Sequence, residues 1–204
     1  MSAPVNEPVI RSIRADEIEA VGAFISNAFD DLAANHYLVP VPAERETVMA
    51  GFFSLESETA FKQGRIEVID HPDGGYAAAA VWFDRVTDLP EAEAYMERLE
   101  AIAGDHFERF GALGELFDKN HPHEPHWHLA FLGVRPSEQG KSLGSTMMKH
   151  VHDELDANGT AAYLEATNQN NVRLYRRHGY QPMDPCEIYL PDGTAFYRMW
   201  RAAS

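Results

Sequence analysis

The sequence predicts an α/β protein, one domain over residues 1–204 built on a mixed sheet with helices on its faces. Three observations carry that expectation. Strand-like and helix-like segments alternate along the chain in the order β-α-α-β-β-(αα)-β-α-β-α-β-β. A strong hairpin signal, His71-Pro72-Asp73-Gly74-Gly75, joins two strand-like runs in the first half. A strand–helix–strand–helix succession fills Trp127 to His178.

Val9–Ile13 reads as a short strand. A helix follows from about Asp16, with Ile18, Val21, Ile25 and Phe29 spaced for one buried stripe. Asp30–Pro42, with Asn35, His36, Tyr37 and two prolines, reads as a loop, and Ala43–Phe61 as a second helix. Arg65–Asp70 and Tyr76–Asp84 are the hairpin strands. Two acidic helices, Glu91–Ala103 and Asp105–Lys119, turn Tyr95, Leu99, Phe107, Phe110 and Leu113 toward a core. Strand Trp127–Val134, helix Gly140–Asn158, strand Ala161–Ala166 and helix Gln169–His178 come next. Strands Cys186–Leu190 and Ala195–Trp200 flank the turn Pro191-Asp192-Gly193-Thr194. No repeat or low-complexity tract marks a linker.

Composition narrows the function. Lys+Arg total 17 against Asp+Glu 32, a formal net charge of −15. A field of that sign repels phosphate backbones and anionic membranes, which argues against a nucleic-acid or membrane partner. The longest apolar run, Tyr76 to Phe83, is too short to span a bilayer. The N-terminus lacks an apolar signal-peptide core, and Cys186 alone makes no internal disulfide, so a cytoplasmic location is expected.

The most informative stretch leads from strand Trp127–Val134 through Arg135-Pro136-Ser137-Glu138 into Gln139-Gly140-Lys141-Ser142-Leu143-Gly144 and a helix. Leu143, Met147, Val151 and Leu155 give that helix a fixed inner face. Its first amides lack intrahelical partners, and Gly140 and Gly144 let an anion approach the backbone. Arg135, Lys141 and Lys149 make the region locally basic. The residues fit a pyrophosphate cradle or an ordinary strand-to-helix turn equally well. A nucleotide P-loop is excluded: its first glycine would fall at Arg135, beside Pro136.

Val134-Arg135-Pro136 followed by Gln139 to Gly144 resembles the acetyl-CoA pyrophosphate loop of the GNAT N-acetyltransferases. Asn168, then Leu174-Tyr175, then Gly179-Tyr180 resembles the family's second motif, at the right spacing. Glu124-Pro125-His126-Trp127, Leu129, the loop, and Tyr163 to Thr167 are similar to the puromycin N-acetyltransferase group. The resemblance implies the GNAT fold, a central mixed sheet whose two parallel strands, Trp127–Val134 and Ala161–Ala166, splay apart around the cofactor. It implies acetyl-CoA as acyl donor. Backbone groups of Leu132, Gly133 and Val134 would pair with the pantetheine arm. Gln139, Gly140, Lys141, Ser142, Leu143 and Gly144 would hold the pyrophosphate, Asn168 would bond near the pantetheine, and Tyr175 would protonate the leaving thiolate. Two departures stand out. Ser142 replaces a glycine, and a positive φ there would weaken the cofactor site. Tyr180 replaces the commoner Phe, which puts a hydroxyl at the edge of the core.

Glu165 is the only charge between Ala161 and Ala166, in a strand expected to be covered on both faces, where a lone carboxylate must pair, hydrogen-bond or stay protonated. It reads as a general base or an ammonium anchor, because Tyr163, Glu165 and Thr167 share one strand face. His121, His123, His126 and His128 lack zinc spacing, so no metal is expected and an approach loop is the better reading. His128 alternates with Trp127, so one of the two faces the acceptor. Phe29, His36, Tyr37 and Trp82, with Asp30 and Asn35, are further candidates for lining its pocket.

The expectation is an acetyl-CoA-dependent N-acetyltransferase that acts on a small-molecule primary amine by direct attack in a ternary complex. Antibiotic or aminonucleoside detoxification is the implied setting. The rivals are acetylation of a protein lysine or N-terminus, and a catalytically silent acyl-CoA-binding module. Oligomeric state stays open, a homodimer included.

Overall fold

The computed structural model describes residues 8–87 and 94–204; the expected helical residues 91–93 lie outside them. The chain forms β1 (Ile10–Ser12), α1 (Ile18–Ala28), α2 (Ala33–Leu38), α3 (Pro42–Gln63), β2 (Gly64–Asp70) and β3 (Tyr76–Asp84). It continues as α4 (Tyr95–Ala103), α5 (Phe107–Asn120), β4 (His126–Val134), α6 (Leu143–Ala157), β5 (Ala161–Ala166), α7 (Gln169–Arg177), β6 (Gln181–Tyr189) and β7 (Ala195–Arg201). The strands make one sheet in the order β1-β2-β3-β4-β5-β7-β6. Among the described residues only β4 and β5 run parallel, so the sheet is mixed, as the sequence predicts. One face carries α1, α3, α4 and α5; the other carries α6 and α7. Covered on both sides, β3 is buried from Tyr76 through Phe83.

Two features of β4 build the site. The β3–β4 register sets Val81 opposite Phe131 and Trp82 opposite Leu129, so Ala130 is an extra, bulged residue. Ala130 and Phe131 therefore both face α1 and α3, while Leu129 and Leu132 face α6. The second feature is a short ladder. β4 pairs with β5 only through His126↔Ala161, Trp127↔Ala162 and His128↔Tyr163, and beyond these the strands part. The Arg135 N–H donates to the Ala77 carbonyl at 2.9 Å. Alternation from that bond makes Gly133 and Phe131 the hydrogen-bonded partners of β3, and turns the backbone of Leu132 and Val134 into the gap.

The expected boundaries shift in three places. Residues 33–38 form a short helix where a loop is expected. α6 begins at Leu143, which leaves Gly140 to Ser142 as a turn. β6 begins at Gln181 and is irregular between Pro182 and Glu187.

The sheet's end is tied to α6 by a two-pronged ion pair. Arg201 Nη1 and Nη2 reach Asp156 Oδ1 and Oδ2 at 2.7 and 2.6 Å, with Arg201 8% exposed. These bonds hold the Asp156 carboxyl well below its usual range. A carboxyl depressed in the folded state stabilises above its unfolded value and loses that contribution as pH falls. Asp156→Asn should therefore lower stability at pH 7 by about 1.5–3 kcal/mol. Its deficit against the wild type should narrow progressively below roughly pH 4, the ordinary Asp value. Urea midpoints of both proteins at pH 7 and pH 3 check this; an equal gap at both would disprove it.

Candidate active site

Where β4 and β5 separate, His128 Nε2 and Glu165 Oε2 lie 2.8 Å apart, both side chains nearly enclosed. The residues are 37 positions apart in sequence and meet only because the parallel ladder aligns the strands. Burial alone would raise the Glu165 carboxyl; the charge and hydrogen bond of His128 outweigh it and hold the group below the usual carboxylate range. His128 Nδ1, Glu165 Oε1, the Tyr163 hydroxyl and Arg198 Nε are buried without hydrogen-bond partners among the described residues. They form one cluster. Arg198 stands opposite Glu165 across the β5–β7 pair, and the Tyr163 ring lies 5.4 Å from that of His128. Burial, then the Glu165 charge, push the Tyr163 phenol up, so it stays protonated.

Histidines close the cluster from the α5 side. His121 Nε2 and His126 Nε2 are 3.1 Å apart, and the His121 ring lies 5.0–5.1 Å from those of His126, His128 and Tyr163, tilted to the first and edge-on to the other two. Burial pushes the His121 imidazole down to about 3, which keeps it neutral. Beside it a surface pocket is lined by Arg85, Asp118, His121, Pro122 and His123. Glu56 of α3 is hydrogen-bonded by the Tyr95 hydroxyl of α4, and burial raises its carboxyl against that bond. No group of three or more metal-ligating side chains assembles among the described residues.

On the other face, the turn before α6 has positive φ at Gly140 (77°) and Ser142 (64°). Glycine tolerates the first at no cost, but Ser142 sits in the strained left-handed region, the less favourable of the two cases its presence allows. Thr146 N–H is bonded to the Ser142 carbonyl, so the amides just ahead of it remain at the helix's positive end. Lys141 Nζ rests on Glu138 Oε1 at 2.9 Å, and Gln139 Nε2 donates to the Val134 carbonyl at 3.3 Å. Gly144 lies against Leu132 and Val134, the gap-lining residues. Gly133 differs from its neighbours: its backbone serves β3, and its bare Cα lets α1 pack close, with Ala28 Cβ 3.2 Å from where a Cβ would stand. Asn168 caps α7, its Oδ1 accepting from Asn171 N–H at 2.9 Å while its Nδ2 donates to Thr167 Oγ1 at 3.5 Å. Tyr175 is half-buried, its hydroxyl unbonded among the described residues, and burial pushes the phenol up to about 12.

The family model described as "Acetyltransferase (GNAT) family" matches residues 12–180. The chain belongs to that family. A mycothiol acetyltransferase of Streptosporangium roseum is 33% identical over 75 residues, 35% of this chain but only 22% of that relative's length. Among solved structures, one described as histone acetyltransferase HPA2 and related acetyltransferase, from Corynebacterium glutamicum, has a TM-score of 0.73 at 24% identity and 97% coverage of both chains. Arylalkylamine N-acetyltransferase 2 from Aedes aegypti has a TM-score of 0.64 at 14% identity, covering 98% and 100% of the two chains. At those identities the structures establish the fold.

The remaining residues divide by face. In this acetyltransferase His128 takes the side of Glu165, while Trp127 packs toward α6. Trp82 also contradicts its expected place at the acceptor: it is fully buried toward α6, edge-on to His152. Phe29 packs on Phe53 and Phe131 on the face that carries α1 and α3. Tyr37 lies under the Arg109 guanidinium, and His36 is exposed, bonded to the Asp30 carbonyl. Arg135 serves the hairpin, donating to the carbonyls of Tyr76 and Gly74. No helix among the described residues is long and apolar enough to cross a membrane.

Proposed function

We propose that this acetyltransferase transfers an acetyl group from acetyl-CoA to a small-molecule primary amine by direct attack. The observation that carries the reading is the enclosed His128–Glu165 pair at the parting of β4 and β5. An enclosed carboxylate suits an ammonium ion brought in on a small molecule, and the net charge of −15 attracts it.

The residues divide the work. The turn Gln139–Gly144 and the first amides of α6 receive the pyrophosphate, and the gap-facing backbone of Leu132 and Val134 receives the pantetheine amides. Glu165 Oε1 holds the ammonium, and the His128–Glu165 pair takes its proton as a coupled unit. The amine nitrogen then bonds to the acetyl carbon while the Val134 N–H steadies the carbonyl oxygen. As the C–S bond breaks, the Tyr175 phenol, protonated at neutral pH, gives its proton to the sulfur, and the phenolate is reprotonated by the second proton that the attacking nitrogen sheds as the amide forms.

Thiol release from acetyl-CoA across a panel of small amines, aminonucleosides of the puromycin type and lysine peptides tests this. Turnover on one small-amine class is expected, and turnover confined to peptides would replace the reading. Saturating acetyl-CoA should also raise the melting temperature, because it binds only the folded state; at 100 times Kd the gain is about 2.7 kcal/mol. An unmoved melting curve would sink the cofactor assignment.

A further inference from the structure

The buried contact between α6 and α7 has no part in the reaction as described. His152 Nε2 of α6 lies 3.1 Å from the hydroxyl of Tyr180, just past the end of α7. Tyr180 is fully enclosed and His152 is 4% exposed, and His152 is fixed from behind by Trp82, edge-on at 6.0 Å. Burial pushes the imidazole down to about 4, so it is a neutral hydrogen-bonding partner at working pH.

Tyr180 in turn holds Tyr175 twice. Its backbone N–H donates to the Tyr175 carbonyl at 3.2 Å, and its ring stands 5.9 Å from the Tyr175 ring at 66°. α7 buries Val172 fully and packs Leu174 and Tyr175 partly against the same cluster, and Arg201 Nε donates to the His178 carbonyl at 3.1 Å. A second bond, His178 Nε2 to Ser145 Oγ at 2.9 Å, joins the end of α7 to the first turn of α6, next to Gly144. The helix that bears the cofactor turn is thus bonded to the segment that bears Tyr175. The phenylalanine commoner in the family at position 180 would lack the buried bond.

We propose that Tyr180 and His152 are positioning residues that set the Tyr175 hydroxyl at a fixed distance from the cofactor turn. The inference rests on Tyr175 as the proton donor. Misplacing a reacting group by about 1 Å costs up to roughly 10²-fold. Tyr180→Phe should accordingly lower kcat on the order of 10-fold while the Kd for acetyl-CoA stays within about twofold, because only the step that needs the donor is affected. In a Tyr175→Phe background, itself slowed by about 10²-fold, Tyr180→Phe should cost nothing more. His152→Leu should reproduce the kcat loss, and His152→Gln, which can still bond the phenol, should recover part of it. The His152 pair keeps the test decisive if Tyr180→Phe does not fold.

Wild-type kcat in Tyr180→Phe, or an undiminished loss in the Tyr175→Phe background, would overturn the proposal while leaving Tyr175 as donor. Equally poor kcat in His152→Leu and His152→Gln would also overturn it. Full kcat in Tyr175→Phe alone would remove the donor reading and the positioning role with it.

Discussion

Gly144→Glu should abolish coenzyme A binding and leave the fold in place. A Cβ at Gly144 would stand 3.5 Å from Leu132 Cδ2 and 3.6 Å from Val134 Cγ2, ordinary contact distances, so the backbone accepts a side chain. The residue lies in the first turn of α6, where an acidic group is favoured by the helix dipole. The same carboxylate, however, sits where the pyrophosphate must go and repels it. Bulk is added too, toward the two residues whose backbone faces the gap. Gly144→Ala separates the effects: it adds the contact without the charge and should keep most of the affinity. Calorimetric titration with coenzyme A and circular dichroism check the pair. Wild-type affinity in Gly144→Glu would remove the phosphate cradle from the account.

Glu165→Gln should lower kcat/KM by about 10²–10⁴-fold, the usual contribution of a positioned acid or base, with coenzyme A affinity unchanged. The exchange keeps shape and volume, and the amide can still bond His128 across 2.8 Å. What goes is the negative charge that receives the ammonium and shares its proton. Loss of an anionic partner affects KM for the amine as well as kcat, which distinguishes this residue from Tyr175. Initial rates over a range of amine concentrations, with the chemical step shown to be limiting, provide the measurement. Rates within twofold of wild type would mean that Glu165 is half of a structural ion pair.

Local pattern made most of the architecture legible. The hairpin at residues 71–75 and the succession from Trp127 to His178 depend on near neighbours, and the motif spacing marked the turn before α6. What escaped depends on distant partners. Tyr76–Phe83 is apolar throughout, so nothing in it shows which face Trp82 takes. The alternation of Trp127 with His128 offered two faces without choosing one. The pairing with Glu165, the covering ring of His121 and the buried Arg198 need the sheet register, which no short window contains. Short α2 has no capping residue to announce it, and the prolines at 182 and 185 disguised the start of β6. The hydroxyl of Tyr180 was visible as a departure from its family, but its partner lies 28 residues upstream.

The bulge at Ala130 changes the parity of β4. Upstream of it, even-numbered side chains, His126 and His128, belong to the face of Tyr163; downstream, even-numbered Leu132 and Val134 belong to the face that packs on α6. An unbulged strand of the same composition would keep one assignment along its whole length. It could turn its imidazoles toward Glu165, or its Leu132 and Val134 toward α6, but not both. One inserted residue thus divides a single nine-residue strand into two halves with opposite phase, one turned to the His128–Glu165 pair and the other to α6.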